Sequence, residues 1–204
     1  MFRVLTIARE FGSGGAAIGR SISERLGWKL LDKAFIENIA HAAKVDPQLA
    51  RQFDERTDSW LERIGRGLWR GAFEAVAAVS EPDYFDAETM AALARNMIEE
   101  AYQRGKCVIV GRGAQCVLQA RRDAFHVFIY APWAERVARI QRRVPGKTNI
   151  EELIRSMDRQ RADYIRTYFG CDWMDPHLYN LMVCSGLGED VVESTIVEAL
   201  ASGG

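Results

Sequence analysis

The chain has 204 residues, of which 48% are hydrophobic and 27% are charged, and its formal net charge is −1. This size and balance predict one soluble globular domain over 1–204 and give no indication of a nucleic-acid partner. No apolar run approaches the ~20 residues that a membrane span needs, and no leader pattern opens the chain. We therefore expect a cytoplasmic protein that does not bind membranes.

The spacing of cysteines and histidines predicts no metal site. The four cysteines contain no C-x-x-C pair: Cys107, Cys116, Cys171 and Cys184. The three histidines, at positions 41, 126 and 177, are too far apart for any two to lie within one helical turn. The cysteines are therefore interpreted as reduced thiols of a cytosolic protein, with no disulfide framework and no zinc centre.

The first predicted element is a buried strand at 4–8, which leads into a glycine cluster at 12–15. Apolar residues then recur every four positions, which predicts a helix that ends at Gly27. A strand, a glycine loop and a helix N-terminus can together bind an anion through backbone N–H groups. A tight turn that binds nothing is the alternative, and a lone glycine cluster does not decide between them.

The middle of the chain is predicted to be mainly helical, with helices at 34–43, 57–79 and 87–104, the last ended by Gly105. The 57–79 helix carries a wide aromatic stripe. Such stripes are usually core or a packed partner helix. A mobile lobe or a homodimer surface is the other interpretation.

Five apolar runs predict strands: 4–8, 28–31, 107–110, 126–131 and 179–184. Further helices are expected from Trp133, from a capping box at Asn149 and Glu152, and from Glu189 to Leu200. Buried strands alternating with helices predict an α/β fold with a five-stranded parallel sheet covered on both faces.

Ligands of such sheets sit at the carboxyl ends of the strands. This edge should carry the glycine loop, Asp32 and the Gly111-Arg112-Gly113 turn. Arg112 directly follows an apolar strand, so we expect it to bind a ligand, and its planar fork suits phosphate. Asp32 suits either a metal or substrate role, or a helix N-cap.

The chain resembles the cytidylate kinase-like family, a branch of the P-loop nucleoside monophosphate kinases. The resemblance rests on TIAREFGSGGAAIGRSISERLG, LLDKAFIENIA, VIVGRGAQCVL, HVFIYAPWAERVARI and the stretch from MDRQRADYIR through LYNLMVCSG. It implies a three-layer α/β/α P-loop fold, with a helical acceptor-side insert at 33–104 and lid-like helices at 136–170. It also implies ATP as donor, Mg²⁺, and a pyrimidine monophosphate acceptor.

The resemblance also implies roles for individual residues. The donor phosphates would contact the loop residues Gly12, Ser13, Gly14, Gly15, Ala16 and Ala17. The acceptor would contact Asp32, Gly111, Arg112, Gly113 and Asp158, and the lid arginines would be Arg139, Arg143 and Arg161.

The loop departs from the Walker pattern G-x-x-x-x-G-K-[ST]. One register starts at Gly14 and puts Arg20 at the lysine. The preferred register puts Gly15 at the lysine and Ala17 at the Ser/Thr, so that Arg9 or Arg20 would have to supply the missing charge. Gly113 also stands where a cytidylate kinase has aspartate.

Two functions follow from these features. The first is a kinase that transfers the ATP γ-phosphoryl group to a cytidylate-like acceptor. The second is a nucleotide-binding or regulatory protein with weak or no catalysis, as Gly15 and Ala17 suggest. A kinase for another small acceptor, selected by the 57–79 helix, is a third.

Overall fold

The computed structural model describes residues 1–32, 87–146 and 148–203. The predicted helices at 34–43 and 57–79, and most of the 33–104 insert, lie outside the described residues. No helix in the described part of the chain is both long enough and apolar enough to cross a membrane.

The described residues form strands and helices in alternation. The strands are β1 Val4–Arg9, β2 Lys29–Leu31, β3 Cys107–Val110, β4 Ala124–Tyr130 and β5 Leu181–Cys184. The α-helices are α1 Gly15–Leu26, α2 Ala87–Arg104, α3 Ala114–Val117, α4 Trp133–Arg143, α5 Ile150–Phe169 and α6 Glu189–Ser202. Short 3₁₀ turns cover Pro176–Leu178 and Ser185–Leu187.

The five strands form one parallel sheet in the order β2-β3-β1-β4-β5. All five strand predictions are confirmed; β3 coincides with its predicted range, and the boundaries of the other four are shifted by one or two residues. Because β1 lies at the centre, its carboxyl end is flanked by those of β3 and β4, so the loops after these three strands meet at one edge.

Apolar side chains from helices cover both faces of the sheet. On one face, α1 and α6 pack on β1 and β4 through Ile18, Ile22, Val192, Ile196, Leu5, Ile7, Val127 and Ile129. On the other face, α2, α3 and α5 contribute Ile98, Ala101, Ala114 and Ile165, and Leu118, which follows α3, packs with them. Burial on both faces explains why the strands are continuous apolar runs.

Glycines end the helices as predicted, but the predicted capping box is wrong. Gly27 and Gly105 follow α1 and α2 with φ of 63° and 68°, the left-handed geometry that suits glycine. Asn149 precedes α5 with φ of 62° and makes no side-chain cap hydrogen bond. Its left-handed backbone differs from the extended one of a side-chain cap, and Glu152 pairs instead with Arg159 at 2.7 Å.

A buried histidine joins the two central strands. His126 Nδ1 lies 2.7 Å from Thr6 Oγ1, and both residues are buried. Burial lowers the pKa of His126 below its usual 6.5 because the charged imidazolium is poorly solvated there. The folded protein therefore prefers the neutral ring.

Acidification is expected to weaken the fold through this residue. Below pH 6.5 the unfolded chain binds a proton at His126 that the folded chain does not, so the free energy of unfolding falls by at most about 1.4 kcal/mol per pH unit. Urea titrations at pH 7.5 and 5.5 measure this effect: between these pH values the free energy of unfolding should decrease less for His126→Gln than for the wild type. The exposed His177 provides the control His177→Gln, and an equal decrease in all three proteins would contradict the prediction.

Candidate phosphate site

The loop between β1 and α1 is shaped by two glycines. Gly12 and Gly14 have φ of 86° and 82°, which residues with a Cβ rarely adopt. The helix begins at Gly15, so Gly19 and Arg20 lie inside it rather than in the loop. This geometry agrees with the register that places Gly15, not Arg20, at the lysine position.

Two carbonyl groups of the loop are held by side chains from distant parts of the chain. Arg139 Nη1 donates to the Gly12 carbonyl at 3.0 Å, and Ser185 Oγ donates to the Ser13 carbonyl at 2.6 Å. Within the described residues, no hydrogen bond uses the N–H groups of Gly12 or Gly14. The carbonyls are thus satisfied while these donors remain available, as an oxyanion requires.

The other loop residues that the sequence singles out shape the loop or lie beside it. Ser13 is fully buried, donates from Oγ to the Glu10 carbonyl at 3.0 Å and accepts from Gly15 N at 3.4 Å. Ala16 and Ala17 are exposed in the first turn of α1. The first turn therefore offers phosphates only its backbone N–H groups and the partial positive charge of the helix end.

A buried ionic network, which we call the clamp (Glu10, Arg136 and Asp158), ties the loop to α4 and α5. Arg136 donates from Nε to the Phe11 carbonyl at 2.8 Å, lies 3.2 Å from Glu10 and contacts Asp158 directly. Asp158 Oδ1 also accepts from Phe11 N at 2.8 Å. Asp158, predicted to orient the acceptor, is thus engaged with the loop backbone in this structure.

Arg9 crosses the space between the start of α1 and the end of β3. A Cβ at Gly15 would lie 2.8 Å from Arg9 Cβ, and a Cβ at Gly111 would overlap the Arg9 guanidinium. Arg9 therefore fills the space where a lysine side chain at position 15 would begin. The lack of side chains at both glycines is what lets it lie there.

The charges around Arg9 are mostly of the same sign. Burial, followed by the charges of Arg161 and Arg112, lowers the pKa of Arg9 to about 9, and the charge of Asp32 opposes this effect only in part. Arg161 Nη1 donates to the Arg9 carbonyl at 2.9 Å. Burial lowers the pKa of Arg161 as well, although the charge of Asp158 opposes this effect. The three arginines thus lie close enough to influence one another, and Asp32 and Asp158 oppose them among the described residues.

The turn after β3 is entirely left-handed. Gly111, Arg112 and Gly113 have φ of 81°, 59° and 76°. A non-glycine residue in this region is uncommon and often marks a functional turn. The ring of Phe169 covers Gly113 and would lie 2.7 Å from a Cβ there, so an aspartate at position 113 would not fit this arrangement.

Two of the predicted site arginines lie apart from this cluster. Arg20 is largely exposed on α1 and pairs with Asp32 at 3.7 Å, and Arg143 is exposed at the end of α4. The structure thus brings Arg9, Arg112 and Arg161 together and leaves Arg20 and Arg143 outside.

Four residues with roles at this edge were not singled out from the sequence: Glu10, Arg136, Ser185 and Gln115. Glu10 and Ser185 directly follow β1 and β5, so a stricter use of the strand-end rule would have found them. Arg136 shares a helical face with Arg139 but is 5% exposed, a burial that charge patterning does not predict. Nothing in the sequence around Gln115 singles it out.

The residues present suit a polyphosphate better than a protein-bound metal ion. The loop offers free N–H donors and a helix end, which suit ATP phosphates. Among the described residues, no group of three His, Cys, Asp or Glu side chains could hold a metal ion, and Ala17 has no hydroxyl. The described residues thus offer no metal cage built by protein alone, whereas Mg²⁺ that enters with ATP is held mainly by phosphates, waters and one or two carboxylates.

Comparisons with known proteins agree with this architecture. The chain is 33% identical over 86 residues to cytidylate kinase of Methanosarcina mazei, a match that spans 41% of this chain and 48% of that one. It superposes on an uncharacterized protein from Eubacterium ventriosum with a TM-score of 0.68 and 19% identity, over 98% of this chain and 99% of that one. It superposes on shikimate kinase from Bacteroides thetaiotaomicron with a TM-score of 0.54 and 16% identity, over 98% of each chain.

At these identities the structural matches show the fold, a three-layer α/β P-loop architecture, and no more. The chain spans about half the length of the curated relative that it matches. The model of the cytidylate kinase-like family, however, matches residues 4–187, nearly the whole chain. The protein therefore belongs to the cytidylate kinase-like family.

Proposed function

We propose that the protein is a nucleoside monophosphate kinase that transfers the γ-phosphoryl group of ATP to a cytidylate-like acceptor. The observation that carries the proposal is the strand edge where the glycine loop, with free N–H groups on Gly12 and Gly14, adjoins Arg9, Arg112 and Arg161. Phosphoryl transfer needs little beyond positioned phosphates and neutralised charge. Family membership over 4–187 supports the same reaction class.

Each part of the site has a distinct task in this proposal. The loop N–H groups bind the donor phosphates, and Arg112 binds the acceptor. Arg139 and Asp158 act on the loop itself, because their side chains bond its backbone. Mg²⁺ would supply charge neutralisation to ATP in phosphoryl transfer, and the roles above do not depend on which residues contact it.

The proposal is tested by ADP release from ATP with Mg²⁺ over a panel of nucleoside monophosphates. A cytidylate-like acceptor should stimulate ADP release, and Arg112→Ala should reduce the stimulated rate by about 100-fold or more, because an uncompensated phosphate charge costs several factors of ten. Arg142→Ala, which removes an exposed arginine of α4, should leave the rate unchanged. Stimulation that survives Arg112→Ala would contradict the assignment.

A second candidate is a nucleotide-binding protein without catalysis. Gly15 and Ala17 favour it, because the loop lacks the lysine and the hydroxyl of a Walker motif. Nucleotides would then raise the melting temperature while no acceptor stimulates ADP release. Absence of both effects would contradict the phosphate site itself.

A further inference from the structure

A small cavity opens where β1, the turn after β3, and α5 meet. It has a volume of about 40 Å³ and is lined by Arg9, Arg112, Arg161, Gln115 and Tyr164, with Trp173 among its apolar lining residues. One water needs about 10–15 Å³ on such a measure. The cavity therefore suits a small oxyanion and excludes a whole nucleoside.

Gln115 is a buried amide whose Nε2 lacks a hydrogen bond of normal geometry to any described residue. It is 1% exposed on the short helix α3, and its side chain lies close enough to Tyr179 to act on the pKa of that phenol. Buried polar groups are almost always satisfied, and an unsatisfied one destabilises the fold. Because Gln115 lines the cavity, a ligand there is positioned to accept its hydrogen bond.

Arg9 adds a buried cation to the same cavity, and the charge of Asp32 offsets its repulsion from the other arginines only in part. Its side chain makes no hydrogen bond or ion pair with a described residue, and the charges of Arg112 and Arg161 repel it. Arg161 has Asp158 at 3.8 Å, but that carboxylate is already bonded to Arg136 and Phe11. Three guanidinium groups and an amide thus line one small space.

We propose that this cavity binds a phosphate group, with Arg9 and Gln115 as direct ligands beside Arg112 and Arg161, and that this group is the phosphate of the acceptor. The last step rests on the proposed function. Arg9 then serves the acceptor side of the site and does not replace the Walker lysine on the donor loop. Guanidinium and amide N–H groups are donors that match the oxygens of a phosphate dianion.

Calorimetric titration of the nucleotide-free full chain with inorganic phosphate tests the site without any turnover. The wild type should bind phosphate; Arg9→Met should weaken binding about tenfold or more, and Gln115→Leu about threefold to tenfold. Arg142→Met, a charge-matched change on the exposed face of α4, should bind as the wild type does.

Stability provides a second readout that a merely structural role would not give. Without ligand, Arg9→Met and Gln115→Leu should melt at or above the wild-type temperature, because each removes a buried unsatisfied group while keeping side-chain bulk. Added phosphate should raise the melting temperature of the wild type more than that of either variant. Loss of stability in both ligand-free variants would indicate structural roles and overturn the proposal.

Other outcomes separate this site from the glycine loop and from the proposed reaction. Phosphate binding that is absent in the wild type, or is retained within twofold in Arg9→Met, overturns the proposal. If phosphate competes with ATP and not with a nucleoside monophosphate, the assignment of this cavity to the acceptor phosphate is overturned. If no acceptor stimulates ADP release but Arg9→Met still abolishes phosphate binding, the proposed function fails and the phosphate site stands.

Discussion

Asp158→Ala is expected to lower the free energy of unfolding by about 3 kcal/mol, since removing one partner of a buried ion pair leaves the other charge uncompensated. Asp158 contacts Arg136, whose side chain is 6% exposed, and accepts the Phe11 N–H at 2.8 Å. Glu10 remains 3.2 Å from Arg136, which places the loss at the lower end of the range for buried pairs. Urea unfolding followed by circular dichroism measures it.

The double variant Arg136→Met with Asp158→Leu distinguishes loss of the pair from loss of packing. Removing both charges should recover part of the stability lost by Asp158→Ala, because no buried cation is left unpaired. Arg159→Ala, which breaks an exposed pair with Glu152 on the same helix, should cost well under about 1 kcal/mol. An Asp158→Ala protein as stable as Arg159→Ala would show that the clamp does not hold the loop.

Gly15→Lys, which restores the missing Walker lysine, is expected to destabilise the protein by about 1–3 kcal/mol and not to raise ADP release. The new Cβ would lie 2.8 Å from Arg9 Cβ, an overlap that forces the strand end or the helix to shift. Ala16→Lys, at the adjacent exposed position, controls for adding a cation to the first turn and should cost much less. Urea unfolding of both variants measures the difference.

Removing the whole Arg9 side chain should relieve this overlap, because the atoms nearest to the new Cβ are the Cβ and Cγ of Arg9. In the cycle of Arg9→Gly, Gly15→Lys and the double variant, we expect a coupling energy of about 1–3 kcal/mol, with the double variant more stable than Gly15→Lys alone. Additive effects would show that Arg9 does not occupy the space of the lysine. Thermal unfolding of the four proteins supplies the cycle.

Most of the sheet was predictable because each strand is buried on both faces and is therefore a continuous apolar run. The 107–110 run coincides with β3, and the other four strands are shifted by one or two residues. The strand order does not follow from the sequence, because nothing local in β1 indicates that it lies between β3 and β4. Asn149 shows the limit of local motifs, since its left-handed backbone removes the cap that its spacing predicts.

The site was predictable in its place and less so in its contacts. The strand-end rule predicts the glycine loop beside the turn that carries Arg112, and the parallel pairing of β1 with β3 brings the carboxyl ends of these two strands together. It could not distinguish Arg9, which lies against two glycines, from Arg20, which pairs with Asp32. Nor could it show that Asp158 bonds the loop. Such contacts depend on the packing of α1, α4 and α5 against the loop, which involves residues more than a hundred positions apart.

The packing of Arg9 between two glycines also has an evolutionary consequence. A side chain added at Gly15 would meet the Cβ of Arg9, and one added at Gly111 would meet its guanidinium group. The effect of a mutation at either glycine should therefore depend on the residue at position 9, so we expect the three positions to be epistatic. In a lineage that moves between this loop and the lysine-bearing Walker form, the order of the changes at positions 9 and 15 should then affect stability.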